Sequence, residues 1–439
     1  MLKNIRTEEI HYLYRRRVDP VGEVFFWENR VFRGINYGYE QEIEELMHSG
    51  LLKKLEEEKL IVNTQKTDFK NQKYSLILEH SLIYPEIYSE EMVFDMIKEV
   101  AITILKIAKI SFEYGYQLKD CHLQNILFEG TIPKFVDIGS FKKINQINKD
   151  KFKWIAEDEF LRVYIYPLTL WTIGFEDYAK KLYITRNNVF TSTYFRLKYP
   201  LFNLIPIKYH YKLIKTINKY FHKYTNLDKL YNQISNLSLP KNKTKWGEYY
   251  DNIKLDNPRF NKVIETINTK CKNAKSCVDI AGNEGILADL ILKSTHIKKA
   301  ICLDYDEEAI KKGFNKNKKR ENLFFANIDF MSSIGFINST NSYSRYKSDI
   351  TICLALTHHL LLGQKYDIKD ICKNLFSITS KYLIIEFMPK GLWSEKSDKI
   401  DIPNWYTLEW FKNELSNFFE IQFIEEIADN RILIFGYKK

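Results

Sequence analysis

The sequence has few of the patterns that mark metal sites, disulfide frameworks or export. It contains six cysteines in 439 residues, and no two of them form a C-x-x-C pair. This argues against a zinc site and against disulfides, so we expect reduced thiols and no metal ligands. The first residues lack the apolar core of a signal peptide, and no run of about 18 apolar residues occurs. We therefore expect a cytoplasmic protein without a membrane span.

Basic residues are numerous, but they are not gathered into a recognition surface. The formal net charge is +10 and the pI is about 8.9, yet lysine is spread along the chain together with asparagine and isoleucine. This composition fits a bacterial coding sequence of low GC content, and no segment clusters arginine as a nucleic-acid-binding arm does. The sequence does not favour a nucleic-acid partner, and it leaves the oligomeric state open.

The chain is long enough for more than one domain, and its local patterns change twice. Residues 1–150 mix strand and helix signals, residues 151–240 are helical and aromatic, and residues 241–439 alternate strands with helices. A polar segment at 239–244 contains a proline and is the predicted linker. We predict an α+β domain, a helical extension, and an α/β domain with a parallel sheet and crossover helices.

The first domain contains four clear local patterns. These are a hairpin at 23–35, an amphipathic helix at 39–60, a strand at 74–79 and a long helix at 90–114. The hairpin is predicted to turn at Glu28 and Asn29, and the long helix is predicted to end near Gly115.

The most informative stretch is a strand that ends in an acid and enters a turn of small residues. It reads S-C-V-D-I-A-G-N-E-G from Ser276 to Gly285, and a helix is predicted from Ile286. Small residues let a ligand touch the backbone at such a strand-to-helix turn. The turn lacks the three-glycine spacing that admits a pyrophosphate. It therefore favours S-adenosylmethionine over a dinucleotide.

Three further features follow this turn, each at the end of a predicted strand. The second strand ends in Asp304 and Asp306, where an acid can accept bonds from the two hydroxyls of a ribose. The third ends in Asp329, a candidate for the adenine amino group. The fourth runs into a loop that carries His358 and His359. Because ligands of open α/β sheets bind at the carboxyl ends of the strands, we expect these features at one edge.

Residues 246–439 resemble class I S-adenosylmethionine-dependent methyltransferases, and more narrowly the NoeA-like, nodulation methyltransferase-related branch. That branch typically shows D-L-G-C-N-x-G, D-x-D, A-L-x-H-H-L and I-E-F-x-P-K in this order. The corresponding blocks here are 279–285, 304–306, 355–360 and 385–390. A predicted terminal hairpin fits the reversed last strand of these enzymes. The sequence departs from the branch at Ala281-Gly282, where Gly-Cys is usual, and alanine adds a methyl group next to the ligand.

The resemblance implies a seven-stranded Rossmann-like sheet and assigns the cofactor contacts. Asp304 would hold the ribose of S-adenosylmethionine and Asp329 the adenine. The residues that would cradle the methionyl part are Asp279, Ala281, Gly282, Asn283 and Gly285.

The acceptor side is less clearly marked by the sequence. His358 or His359 is a candidate general base, because neutral imidazole near pH 7 suits that task. Methyl transfer also runs by proximity and desolvation alone, without a base. Glu386 and Lys390 are further acceptor-side candidates. No N-P-P-Y-type loop follows the fourth strand, which argues against an amide or adenine nitrogen as acceptor.

A second set of motifs lies in the N-terminal half. Asp120 and Asn125 are five residues apart, and a D-x-G motif at Asp137 follows 12 residues later. This spacing resembles the catalytic and metal loops of protein and small-molecule kinases. The resemblance implies that Asp120 orients an acceptor hydroxyl, while Asn125 and Asp137 hold the magnesium ion of ATP.

Two elements of a kinase are missing from this half. No glycine-rich loop precedes the hairpin, and Arg33 stands where the strand should carry the ATP-pairing lysine. A guanidinium does not substitute for an ammonium at a crowded phosphate site. The half is therefore expected to be an active kinase, a nucleotide or metal site without turnover, or a scaffold.

The sequence as a whole predicts an S-adenosylmethionine-dependent methyltransferase behind a kinase-like α+β domain. The expected substrate is a small molecule or a carbohydrate, methylated on oxygen. One alternative is a bifunctional kinase and methyltransferase that modifies a glycan end. Another is a non-catalytic protein that binds S-adenosylmethionine.

Overall fold

The computed structural model describes residues 4–12, 19–144, 152–221, 224–240, 257–332, 341–392 and 402–439. The chain divides into two compact units. The N-terminal unit comprises Met1–Phe128 and Ile132–Lys241, and the C-terminal unit comprises Glu129–Thr131 and Asn242–Lys439. From residue 241 on, the predicted linker lies outside the described residues. Among the helices that the structure describes, none has the length and apolar character needed to cross a membrane.

The N-terminal unit contains a five-stranded antiparallel sheet with the strand order β1-β2-β3-β5-β4. Its strands are β1 His11–Tyr12, β2 Gly22–Trp27, β3 Arg30–Ile35, β4 Thr64–Lys66 and β5 Leu76–His80. Strands β2 and β3 form the predicted hairpin, in which Trp27 pairs with Arg30. The turn residues Glu28 and Asn29 have φ of 49° and 59°. Two left-handed residues give a turn whose twist matches that of the strands, which explains the tight connection.

Three helices belong to this part of the N-terminal unit, two between β3 and β4 and one after β5. They are α1 Glu40–His48, α2 Leu51–Glu57 and α3 Phe94–Glu113. The single helix predicted at 39–60 is wrong in one respect, because Gly50 adopts a left-handed φ of 80° and separates α1 from α2. Helix α3 is the predicted long helix, although it begins at Phe94 and not at residue 90. The strands that follow are β6 Tyr116–Leu118, β7 Ile126–Glu129, β8 Ile132–Phe135 and β9 Phe141–Lys143.

The predicted helical extension packs within the N-terminal unit. Its helices are α4 Glu157–Phe160, α5 Tyr166–Thr172, α6 Glu176–Thr185, α7 Thr191–Lys198, α8 Ile207–Phe221 and α9 Leu227–Ser235. Two of its side chains hold the backbone next to Asp120. The Glu159 carboxylate accepts a hydrogen bond from the Cys121 amide at 2.6 Å, and the Tyr164 hydroxyl donates to the Cys121 carbonyl at 2.7 Å. The extension thus fixes the loop that carries the kinase-like motif.

The C-terminal unit is an α/β domain, as the sequence predicts. Its strands are β10 Ser276–Ile280, β11 Lys299–Asp304, β12 Leu323–Asn327, β13 Ser348–Cys353, β14 Thr379–Phe387, β15 Phe419–Ala428 and β16 Arg431–Lys438. Its helices are α10 Pro258–Lys270, α11 Ile286–Ser294, α12 Glu307–Lys316, α13 Ser342–Arg345, α14 Ile368–Ile378 and α15 Leu408–Leu415.

The seven strands form one sheet with the order β12-β11-β10-β13-β14-β16-β15. Neighbouring strands from β12 to β14 are parallel, whereas β16 is antiparallel to both β14 and β15. Strand β16 therefore runs against the other six. The predicted seven-stranded Rossmann-like sheet with a reversed last strand is confirmed. Because β10 lies between β11 and β13, the strand order changes direction there, which opens a crevice at the carboxyl ends.

The centre of this sheet is apolar and contains thiols. All six cysteines are buried and none forms a disulfide. Cys277, Cys302 and Cys353 lie on the neighbouring strands β10, β11 and β13 and are fully buried. These three thiols are therefore shielded from solvent by the sheet.

Candidate functional site

The turn after β10 has an unusual backbone. Ala281, Asn283 and Gly285 all have left-handed φ, at 56°, 53° and 71°. Between them, the Gly282 amide donates to the Leu303 carbonyl of β11 at 3.1 Å, and the Gly285 amide donates to the Gly282 carbonyl at 2.9 Å. Alternating left-handed residues fold the chain back sharply over the end of the sheet. Helix α11 then begins one residue after the turn.

Two glycines of this turn have no room for a side chain. A Cβ atom on Gly282 would lie 2.8 Å from Oδ2 of Asp279 and 2.9 Å from Sγ of Cys302. A Cβ atom on Gly285 would lie 2.7 Å from Cε1 of Phe325, and the left-handed φ adds strain for any other residue. The turn therefore rests directly on the Asp279 carboxylate. The second small residue of the D-x-A-G motif is required by this packing.

Asp304, at the end of β11, ties the turn to the second strand. Its Oδ2 accepts a hydrogen bond from the Asn283 amide at 2.8 Å, and its Oδ1 accepts from the Asp306 amide at 2.8 Å. Asp306 has a different role, because its Oδ1 accepts from the Ala309 amide at 3.0 Å and caps α12. The two acids thus have different roles: Asp304 accepts a hydrogen bond from the turn, and Asp306 is the N-cap of α12.

Asp279 and Asp304 form a buried acidic pair at the ends of adjacent strands. Their residues are only 3% and 6% exposed. Burial raises the pKa of Asp279 to about 7, with a further rise from the charge of Asp304 and an opposing effect of Arg259. Burial also raises the pKa of Asp304 to about 6, against the effect of its backbone hydrogen bonds. Both carboxyl groups therefore keep a proton to higher pH than an exposed aspartate does.

This pair fits the cofactor that the sequence predicts. A pyrophosphate beside Asp279 and Asp304 would meet two buried carboxyl groups of the same sign of charge. An ammonium group and ribose hydroxyls instead supply hydrogen-bond donors and, for the ammonium, an opposite charge. The residues at the carboxyl ends of β10 and β11 therefore suit S-adenosylmethionine better than a dinucleotide.

Asp329 lies in the loop after β12 and is exposed. Its two carboxylate oxygens accept hydrogen bonds within the same loop, from the Met331 amide at 3.0 Å and the Ser332 hydroxyl at 2.8 Å. The preceding residue, Ile328, donates its amide to the Asp304 carbonyl at 2.8 Å. The structure brings this loop next to Asp304 but turns the Asp329 carboxylate toward its own chain, so its adenine contact stays a prediction.

The two histidines after β13 differ in environment. His358 is 5% exposed, and its Nδ1 atom has no hydrogen-bond partner among the described residues. Burial lowers the pKa of His358 to about 3, and the charges of His359, Arg431 and Arg259 act in the same direction. A group with so low a pKa is a weak proton acceptor near pH 7. His359 is half-buried, with its ring centroid 4.1 Å from that of His358, and the role of either histidine as a base stays a prediction.

Glu386 lies inside an ion-paired cluster that the sequence did not reveal. It is fully buried at the end of β14, with Oε1 3.1 Å from Nε of Arg259 and Oε2 3.0 Å from NH1 of Arg431. The acceptor-side role expected for Glu386 has no support in this geometry, because the carboxylate joins α10, β14 and β16. Arg431 begins β16 and is followed by four apolar residues, a local signal that the sequence reasoning did not use. Lys390 pairs with Asp429, with Nζ 2.6 Å from Oδ1.

The kinase-like residues of the N-terminal unit do meet in space. The Asn125 amide group donates to Oδ1 of Asp120 at 2.6 Å. The Ser140 hydroxyl lies between the two acids, 2.5 Å from Oδ1 of Asp120 and 2.7 Å from Oδ2 of Asp137. Ser140 was missed by the sequence reasoning, although it stands directly after the D-x-G motif.

The same cluster does not fit magnesium and ATP as the kinase resemblance implies. Asp137 is bonded to the guanidinium of Arg33, with NH2 2.6 Å from Oδ1. Where a divalent ion would need carboxylate oxygens, a permanent positive charge is already in contact. Among the residues that the structure describes, no group of three or more histidine, cysteine or acidic side chains is arranged as a metal site.

Comparisons with known proteins give one curated relative of nearly full length. The chain is 22% identical over 429 residues to the nodulation protein NoeA of Rhizobium meliloti (strain 1021), which covers 85% of this chain and 84% of NoeA. No family model matches the chain. This likeness agrees with the resemblance that the four C-terminal motifs indicate.

Two solved methyltransferase structures align with less than half of the chain. The N-methyltransferase NodS from Bradyrhizobium japonicum WM9, in complex with S-adenosyl-L-homocysteine, is 10% identical and covers 43% of this chain and 90% of its own, with a TM-score of 0.33. The magnesium protoporphyrin IX methyltransferase from Synechocystis PCC 6803, with bound SAM, is 14% identical and covers 46% and 87%, with a TM-score of 0.32. At these TM-scores, the fold assignment rests on the strand order and strand directions given above. The chain is thus similar to NoeA over most of its length, and its C-terminal unit has the seven-stranded Rossmann-like sheet expected of an S-adenosylmethionine-dependent methyltransferase.

Proposed function

We propose that the C-terminal unit binds S-adenosylmethionine and transfers its methyl group to a small-molecule or carbohydrate acceptor. The observation that carries this proposal is the junction of the turn with the second strand. There Asp304 accepts the Asn283 amide while the buried Asp279 carboxyl lies under Gly282. This junction presents two carboxyl groups and a tight backbone turn at the topological switch point of the sheet.

Each residue has a defined part in this proposal. Asp279, with Gly282 and Asn283, holds the methionyl part of the donor, and its carboxylate balances the ammonium group. Asp304 accepts the ribose hydroxyls with the lone pairs that its backbone bonds leave available. Bound S-adenosylmethionine supplies an electrophilic methyl group, and the protein's task is to orient the acceptor and exclude water.

Oxygen is the proposed acceptor atom. The loop after β13 reads L-A-L-T-H-H and has no N-P-P-Y-type sequence that would bind an amide or adenine nitrogen. His359 is the proposed recipient of the acceptor proton, since His358 is enclosed and has a strongly lowered pKa. The preference for a carbohydrate is supported by the likeness to a nodulation protein.

Calorimetric titration of the full chain with S-adenosylmethionine and S-adenosylhomocysteine tests the proposal. We expect both to bind, and D304A to weaken both by about 100-fold, because two hydrogen bonds to a charged group are lost. D349N is the matched control. Asp349 lies at the opposite end of the sheet, where it accepts the Lys275 amide at 2.7 Å and pairs with Lys381.

Failure of the native chain to bind either compound would refute this function. Binding of both without methylation of any offered glycan or hydroxylated small molecule would favour the non-catalytic alternative.

A further inference from the structure

A buried arginine lies at the centre of the kinase-like cluster. Arg33, on β3, is 5% exposed. Its NH2 group lies 2.6 Å from Oδ1 of Asp137, and its NH1 group lies 3.1 Å from Oδ2 of Asp19. One guanidinium thus joins the hairpin, the D-x-G loop and the segment before β2. Because a guanidinium remains charged at every accessible pH, this contact is permanent in the folded unit.

The acid that would bind a metal ion is fully engaged. Oδ1 of Asp137 accepts from Arg33 and from the Gly139 amide at 3.1 Å, while Oδ2 accepts from the Ser140 hydroxyl. Burial acts to raise the pKa of Asp137, but the charge of Arg33 and these hydrogen bonds outweigh it, and the pKa is lowered. The carboxylate is therefore ionised, and its counter-charge is already supplied from inside the protein.

Of the neighbouring basic groups, Lys119 also lowers the pKa of Asp137, but less than Arg33 does. Burial lowers the pKa of His80 to about 3, and the charge of Arg33 lowers it further, so His80 is neutral. Nζ of Lys119 lies 3.8 Å from Oδ1 of Asp19, at the more exposed side of the cluster. In the part of the chain that the structure describes, Arg33 is thus the cation in direct contact with Asp137.

A magnesium ion would need a different arrangement. It takes oxygen ligands at about 2.0–2.1 Å in near-octahedral geometry. With the guanidinium 2.6 Å from Oδ1 of Asp137, an ion on that oxygen would be in contact with a fixed positive charge. The repulsion would act in a buried site, where it is weakly screened.

We propose that Arg33 is an internal counter-ion that takes the place of a divalent ion at Asp137. In consequence, the N-terminal unit binds neither magnesium nor magnesium-ATP at this cluster and does not transfer phosphate. The conclusion is independent of methyl transfer, because every residue in it belongs to the N-terminal unit. It also excludes the bifunctional kinase and methyltransferase.

Manganese binding to the full-length protein, counted from the free Mn²⁺ signal in electron paramagnetic resonance, tests this proposal. We expect that the native chain binds no Mn²⁺ ion whose binding requires Asp137, and that calorimetry detects no magnesium-ATP binding. R33M removes the guanidinium beside Asp19 and Asp137, and Lys119 is then the nearest remaining cation among the described residues. We expect R33M to bind one additional Mn²⁺ per chain and, with saturating ion, to raise its Tm by about 5 °C relative to its ion-free form.

R30M is the matched control, since Arg30 lies on the same strand and its Nε bonds Oε1 of Glu79 at 2.7 Å on a more exposed surface. It should bind no additional ion, and R33M/D137N should lose the ion that R33M gains. The proposal is overturned by Mn²⁺ or magnesium-ATP binding to the native chain that D137N abolishes, a test that does not depend on the folding of R33M. It is also overturned by a folded R33M that gains no ion.

Discussion

Ala281 adopts a left-handed backbone conformation, which is unfavourable for alanine. Alanine in the left-handed region costs about 1–2 kcal/mol, because Cβ approaches the following carbonyl oxygen. The turn accepts this cost because the two amides that follow Ala281 in the chain are tied to Leu303 and Asp304. The comparison with the D-L-G-C-N-x-G motif already showed Ala281 as a departure. Only its φ of 56° shows that the energetic cost of alanine here is backbone strain.

We expect A281G to raise the free energy of unfolding by about 1 kcal/mol. The relief of left-handed strain exceeds the entropy that glycine adds to the unfolded chain. Urea titration should show a higher midpoint with an unchanged slope.

A288G is the control for A281G. Ala288 lies within α11, where glycine is unfavourable, and A288G should lower stability by about 1 kcal/mol. If A281G were less stable than the native chain, this would contradict the claim that backbone strain at Ala281 lowers the free energy of unfolding.

At the scale of elements, one carboxylate holds three of them together. Glu386 on β14 contacts Arg259 at the start of α10 and Arg431 at the start of β16. Neither α10 nor β16 is next to β14 in sequence, and a cluster of this kind depends on which elements the fold brings together. The terminal hairpin predicted from the sequence includes β16, while the ion pairs of Glu386 required the sheet order.

We expect E386Q to lower the free energy of unfolding by about 3 kcal/mol. The loss of a buried carboxylate leaves the charges of Arg259 and Arg431 without their common counter-ion. Chemical denaturation followed by circular dichroism measures the change.

E425Q is the matched control for E386Q, because Glu425 pairs with Lys262 between β15 and α10 at 2.9 Å but is 46% exposed. An exposed pair contributes about 0–1 kcal/mol. Equal effects of E386Q and E425Q would contradict the distinction between the buried and the exposed pair.

At the scale of the whole molecule, Asp279 and Asp304 affect both the free energy of unfolding and the proposed binding of the cofactor. The pKa values of Asp279 and Asp304 are raised in the folded chain, so the folded state holds protons that the unfolded state releases above about pH 4. As pH rises from about 4 to 7, these groups lower the free energy of unfolding. A ligand that favours ionised Asp279 should reverse this effect.

We expect D279N to become more stable relative to the native chain as pH rises. Without ligand, the difference in unfolding free energy between D279N and the native chain should shift by about 3 kcal/mol between pH 4.5 and 7.5. Unfolding at several pH values measures this shift, and D349N should show little of it. A constant difference would mean that Asp279 is ionised throughout this range.

Local patterns predicted the C-terminal unit better than the chemistry of the N-terminal cluster. Alternating strands and helices, the small-residue turn and Asp304 at the end of β11 are short-range signals that appear where expected, whereas Asp329 lies beyond the end of β12 in an exposed loop. Asp120, Asn125 and Asp137 were also found from their spacing. The bond from Arg33 to Asp137 joins residues 104 positions apart, and the sequence showed only that a lysine was missing there.

The buried thiols of β10, β11 and β13 make the opening of the C-terminal sheet measurable by cysteine alkylation. An alkylating reagent reaches Cys277, Cys302 or Cys353 only when the sheet opens, since all three side chains are sealed in its centre. The Cys302 thiol also donates to the Asn283 carbonyl at 3.4 Å, directly behind the turn. The rate at which Cys302 is alkylated, measured by mass spectrometry, therefore reports how often this part of the sheet opens. A compound that binds at the turn and stabilises it should lower this rate.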